Sequence, residues 1–140
     1  MSTQTIFELL HTMEQVTHKM QLKWRQQTSY DLGVSHILAL HELRINGESR
    51  PSDLARILNF TPASLTHLST KLSNRELITR RKDDTDRRIT YWAITKKGED
   101  LLDKAQRDGR NHHQEVFSHL TETEQKSLLS IYEKLNHSLK

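Results

Sequence analysis

The densest chemistry in the sequence lies in RRKDDTDRRITYWAITKKG, from Arg80 to Gly98, where Arg80, Arg81, Lys82, Arg87 and Arg88 surround Asp83, Asp84 and Asp86. Cationic side chains on an exposed turn suit phosphate oxygens, and an arginine at a hairpin tip suits a minor groove, whose negative potential favours it. The plainer reading is a self-neutralising solvent turn, since five cations against three anions leave only +2. Asp86 stands two residues before Arg88, on the same side of an extended chain, within reach to hold that guanidinium by an ion pair. Asp83 and Asp84 then shape the turn and limit indiscriminate attraction of phosphate.

A second group of side chains precedes it in FTPASLTHLSTKLSN. Thr61 is a good helix N-cap and Pro62 fits the first helical position, where its missing N–H costs nothing. Leu65, Leu68 and Leu72 form one stripe, and at about 100° per residue Ala63, Thr66, His67, Thr70 and Asn74 face the other way, with Lys71 beside them. Base edges in a major groove are read by short hydrogen-bonding side chains, which Ser64, Thr66, His67 and Thr70 supply. The helix start also offers unpaired N–H groups to a phosphate. Seen alone, such a helix is equally a solvated corner of a helical protein.

Nine histidines raise the question of a metal. His112 and His113, with His11, His18 and His41-Glu42, are the residues to weigh. A helical metal pair wants ligands four apart, yet His112 has Asp108 and Val116 at that distance and His113 has Gly109 and Phe117. No metal site is therefore assigned, and a metal-sensing variant of the same fold stays an alternative. No cofactor is called for. The chain lacks a nucleophile–base motif, acids at an active-site spacing, a glycine-rich phosphate loop and a His-x-x-x-His helix, so an enzyme is not expected.

These groups must be positioned by mostly helical elements. Ile6, Leu9, Leu10, Met13, Val16, Met20 and Trp24 recur at steps of three and four, one stripe of a long first helix of about 28 Å. SYDLG interrupts it, and VSHILALHELRING resumes helix with Ile37, Leu40 and Leu43, ending at Asn46-Gly47. RPSDLARILNF predicts a helix of about two turns, with Ser52 or Asp53 near its start and Leu54, Ile57 and Leu58 facing inward. The helix capped by Thr61 follows, then LITRR and RITYWAIT as strands around the turn KDDTD. Helix returns from about Lys96, and Thr121 with Glu124 opens the last one with a capping box.

At 140 residues the chain is most simply one domain, with 34% apolar and 28% charged residues suiting long amphipathic helices. No apolar run could span a bilayer, and MSTQTIFELLHTMEQ carries Glu8 and Glu14 where a signal peptide would be basic and then unbroken in its apolar stretch. The expectation is a cytoplasmic protein without membrane association. The absence of cysteine excludes disulfides, thiolate zinc sites and thiol-based sensing. A net charge of +3 permits nucleic-acid binding only where positive charge is concentrated.

Two short helices with a tight turn, the second carrying a small polar outer face and followed at once by a basic hairpin, describe a winged helix-turn-helix. The segment DTDRRITYWAITKKGEDLL resembles the wing of the MarR family of bacterial transcriptional regulators, whose pattern is Asp-x-Arg, an alternating strand, then Leu/Ile-Thr-x-x-Gly. Asp86, Arg88, Ile94, Thr95 and Gly98 match it. LGVSHILALHEL is similar to the family's second helix, PSDLARILNFTPASLTHLSTKLSNRELITR to its helix-turn-helix and LTETEQKSLLSIYEKL to its last helix. His67 stands where arginine is frequent, so base preference does not carry over, and Gly33 replaces the usual threonine or serine at the start of the second helix.

The resemblance implies a mainly α fold with a β-hairpin wing, residues 32–95 forming the DNA-binding part of a single domain 1–140, and 1–31 with 96–140 supplying dimerisation helices. It implies a homodimer on a pseudo-palindromic double-stranded DNA operator, acting as a repressor relieved by a small-molecule effector, with aromatic compounds as the candidates. The residues expected to contact DNA are Thr61, Ala63, Ser64, Thr66, His67, Thr70 and Lys71 of the helix with Arg81, Asp86, Arg87 and Arg88 of the wing. Trp24, Tyr30, His36, Leu40 and Arg44 are effector-pocket candidates by position. The competing reading is a winged-helix module that docks a protein and binds no DNA.

Overall fold

The computed structural model describes residues 2–139. Its elements run α1 (Thr3–Gln27), α2 (Val34–Asn46), α3 (Pro51–Leu58), α4 (Pro62–Asn74), β1 (Ile78–Lys82), β2 (Thr90–Ile94), α5 (Lys96–Phe117) and α6 (Glu122–Ser138). The chain forms two compact units, Met1–Arg107 and Asp108–Lys140, with α5 running from the first into the second.

The helix boundaries follow from their caps. Ser2 accepts from the Thr5 N–H at the start of α1, and Thr61 accepts from the Ser64 N–H at the start of α4. Gly33 serves as the N-cap residue of α2 without a side-chain bond, so that helix starts without the hydroxyl the family pattern supplies. Arg50 precedes α3 and Pro51 takes its first turn, while Asn59 in the left-handed region ends it (φ 58°). The Thr121–Glu124 capping box of α6 is complete.

In the first unit Leu40, Leu43, Leu54, Leu65, Leu68, Leu72, Trp92 and Leu102 close one core, joining α2, α3, α4, the hairpin and the first half of α5. Ile57 corrects the expectation for α3: it is 53% exposed. The buried face of that helix is centred among Leu54, Ala55 and Leu58, and three residues after Leu54 the side chain turns about 110° off that centre.

β1 and β2 pair antiparallel, Arg80 opposite Trp92 and Arg81 opposite Tyr91. On its other edge Trp92 exchanges two backbone hydrogen bonds with Ser49, each 2.9 Å, so the segment before α3 adds a third rung that sequence reading missed. The signal for it was Pro51, which biases the residue before it toward extended backbone.

The root of the hairpin is joined to α5 by a tight set of bonds. The Thr95 N–H donates to the Leu77 carbonyl at 3.0 Å and the Thr95 hydroxyl to the Glu76 carbonyl at 2.7 Å, while that same hydroxyl oxygen accepts from the Gly98 N–H at 3.0 Å. A Cβ at Gly98 would overlap the Leu77 carbonyl oxygen and approach Ile94 Cγ1 to 2.8 Å, so only glycine fits. This accounts physically for the Thr-x-x-Gly spacing.

Candidate nucleic-acid interface

The stripe of α4 buries Leu65, Leu68 and Leu72 and leaves Ala63, Ser64, Thr66, His67, Thr70 and Asn74 exposed. The Thr66 hydroxyl donates to the Pro62 carbonyl at 2.9 Å and Thr70 to the Thr66 carbonyl at 3.0 Å. Both donors point back along the helix, which leaves their oxygen lone pairs as acceptors on the outer face. Thr61 and Ser64 share a bond of 2.9 Å between hydroxyls at the cap, so the helix opens with a fixed polar edge. Lys71 Nζ lies 3.2 Å from Asp31 Oδ2, and Arg75 lies 3.8 Å from the same oxygen.

On the wing, the Asp83 carboxylate accepts from the Thr85 N–H at 3.1 Å, the Thr85 hydroxyl at 2.9 Å and the Asp86 N–H at 3.0 Å. Those bonds hold its pKa below the ordinary carboxylate value, the Asp86 N–H contributing most. The expected pair is present: Arg88 Nε donates to Asp86 Oδ1 and Nη2 to Oδ2, each at 3.0 Å. The Arg88 backbone N–H also donates to Oδ1 at 3.1 Å, so the carboxylate fixes both the turn and the side chain. The Arg88 guanidinium beside Asp86 lowers that carboxyl's pKa. The arginine remains 90% exposed, a cation held outward in one orientation. Arg87 is exposed in the same turn.

Arg81 is differently placed. Its Nε donates to Glu48 Oε2 at 2.8 Å and its Nη2 to Oε1 at 2.5 Å, and its guanidinium stacks 4.6 Å from the centre of the Tyr91 ring. Glu48, its carboxyl pKa lowered first by the Arg81 bond, thus ties the wing to the segment before α3. Arg80 reaches inward to the Ser69 hydroxyl at 3.3 Å and over Trp92.

The effector candidates divide. Leu40 is wholly enclosed in the core and offers a ligand no surface. Trp24 Nε1 donates to the Leu32 carbonyl at 2.9 Å and the Trp24 ring meets Tyr30 edge-on at 6.0 Å, which anchors the end of α1. Arg44 bonds Asp103 at 2.5 Å and Gln106 at 2.9 Å, bracing α2 against α5. His36 differs from all of these: both ring nitrogens are buried without a hydrogen-bond partner among the described residues. Burial, aided by Lys71, His67 and Arg75 and opposed by Asp31, lowers its pKa. In the second unit the His112 and His113 rings lie 5.4 Å apart. Among the described residues no three His, Asp or Glu side chains are grouped to hold a metal ion, and no helix is long and apolar enough to cross a membrane.

Comparison with known proteins agrees with this geometry. The chain is 32% identical over 101 residues to the uncharacterized HTH-type transcriptional regulator YhbI of Bacillus subtilis (strain 168), covering 71% of this chain and 66% of YhbI. It is 31% identical over 94 residues to the transcriptional repressor MprA of Escherichia coli (strain K12), covering 67% of this chain and 53% of MprA. The matches thus span between about half and two thirds of those relatives. Among solved structures, the organohalide-sensing transcriptional regulator RdhR-CbdbA1625 in its 2,4-dichlorophenol-bound form superposes with a TM-score of 0.83 at 26% identity, over 95% of this chain and 80% of that one. The profile of the MarR family matches residues 32–90, the stretch from the end of the connector through the helix pair to the first residue of β2, and the chain belongs to that family.

Proposed function

We propose that the chain is a homodimeric transcriptional regulator that binds a pseudo-palindromic duplex operator and represses until a small aromatic effector releases it. The observation that carries the DNA-binding part is the hydrogen-bonding outer face of α4, uncharged apart from Lys71 at its edge, followed by a wing whose Arg88 is fixed outward by Asp86. Short acceptors and donors on a helix suit base edges, while an oriented guanidinium suits a groove lined with phosphate.

Dimerisation is supported by the terminal helices. Ile6, Phe7, Leu9, Leu10, Met13 and Val16 of α1 and Leu129, Ile131, Tyr132 and Leu135 of α6 are exposed on the single chain. Apolar surface on this scale marks an interface, and a two-fold protein reads two half-sites at a fixed spacing. Repression follows the relative named as a repressor, and the dichlorophenol-bound neighbour together with the unpartnered His36 supports an aromatic effector with a polar group. The work of such a protein lies in the cytoplasm, and no catalytic step belongs to it.

The test is fluorescence anisotropy with duplex DNA across a salt series, beside sedimentation to read the dimer. Affinity should fall steeply with salt as phosphate contacts are lost. Arg88→Ala should cost about 1 to 3 kcal/mol of operator binding with the dimer unchanged. Capture of a protein partner without retention of any duplex would favour the docking-module reading instead.

A further inference from the structure

The C-terminal half of α4 carries two cations, Lys71 and Arg75, and both are tied to the connector between α1 and α2. Lys71 Nζ donates to Asp31 Oδ2 at 3.2 Å, and Arg75 donates to the Tyr30 carbonyl as well as lying 3.8 Å from Asp31. The connector is itself held, because Trp24 Nε1 donates to the Leu32 carbonyl and the Asp31 backbone is in the left-handed region (φ 45°). Lys71 comes four residues after His67 and seven after Ser64, so it shares their side of the helix. A duplex docked on that face lies within reach of an ammonium group on a flexible stem.

We infer that Asp31 is a specificity-determining residue, which keeps Lys71 from acting as a general phosphate ligand so that discrimination rests on the uncharged side chains of α4. The inference rests on the reading of α4 as the recognition helix. Phosphate contacts raise affinity for every sequence alike, whereas base contacts separate one sequence from another. A carboxylate at the rim of the docking face works against the first kind twice: it occupies a cation and repels phosphate. Glu48 repeats the arrangement on the wing, where it occupies Arg81 from a neighbouring segment. The cation left presented at the hairpin tip with its direction set is Arg88.

The experiment uses the full-length dimer with two probes, poly(dI-dC) and a duplex selected by the wild-type protein from a random-sequence pool. Asp31→Asn removes the charge while keeping a residue type that tolerates left-handed backbone. It should bind poly(dI-dC) several-fold more tightly, with a slope of log affinity against log salt steeper by about 1.8 for the dimer, about 0.9 for one added phosphate contact on each protomer. The ratio of selected to sequence-neutral affinity should fall. Adding Lys71→Ala should return the slope to that of the wild type, and, because Asp31 already occupies Lys71, Lys71→Ala alone should leave it unchanged, contrary to the expectation from the family resemblance that Lys71 contacts DNA. The single Lys71 variant decides the matter even if Asp31→Asn fails to fold: a slope shallower by about 1.8, about 0.9 for each protomer, would overturn the inference, because Lys71 would already be contacting phosphate. So would a folded Asp31→Asn protein with unchanged slope, or a steeper slope that survives Lys71→Ala. A wild-type protein that selects no duplex from the pool would instead overturn the recognition-helix reading on which the inference stands.

Discussion

The winged segment and the terminal helices use the same kind of amphipathic stripe to opposite ends. In α2 and α4 the stripes are consumed within the chain: Leu40, Leu43, Leu68 and Leu72 are enclosed by neighbouring elements. In α1 Trp24 is the buried residue, and α6 buries none. Periodicity alone does not separate the two cases, since Leu9-Leu10 and Leu68 read alike in a sequence window. The difference lies in what else the fold brings to the face, and it teaches that the winged part closes its own core while the terminal helices leave their stripes uncovered on the single chain.

The largest effect should come from breaking the enclosed region. Leu43→Ala should lower unfolding free energy by about 2 to 5 kcal/mol, measured by urea denaturation. If the winged core stands alone, that loss should be the same in a dimer-defective background. Next, Leu10→Asp should weaken self-association by about 2 to 4 kcal/mol in sedimentation equilibrium while leaving the winged core folded, as judged by near-ultraviolet circular dichroism of Trp92. Loss of both signals together would erase the distinction between the regions.

The smallest effect concerns His36, whose folded pKa is depressed by burial. The unfolded chain then binds the proton more readily, so this contribution is fully present above the ordinary histidine value of about 6.5 and is lost as pH falls through the folded value. His36→Gln should flatten the stability profile of the protein over that interval. A profile identical to that of the wild type would show that the imidazole is not titrating against its enclosure.

Much of the fold was legible in the residues because its determinants are local. Thr61-Pro62 marked a helix start and Asn46-Gly47 an end, and Asp86 pairs with Arg88 as expected, although in a turn before β2, where the Ile89 N–H donates to the Asp86 carbonyl, and not on one face of an extended strand. Ile57 was misread because a helix of eight residues offers too few turns to fix the centre of its buried face. The partners of Lys71 and Arg81 were invisible for another reason. Asp31 is 40 positions from Lys71 and Glu48 is 33 from Arg81, and no periodicity encodes a contact made by tertiary folding. Whether a cation is free or occupied is therefore a property of the fold, although its presence is a property of the sequence.

The close fit at Gly98 has a mechanical meaning. Because the first turn of α5 rests directly on the Leu77 backbone and shares the Thr95 bonds with it, that turn and the root of the wing behave as a single rigid elbow. Any force that tilts the start of α5 must carry the base of β1 with it. The hairpin's aim is thus geared to the long helix through a joint with no slack, and a side chain of any size at position 98 would strip the gear.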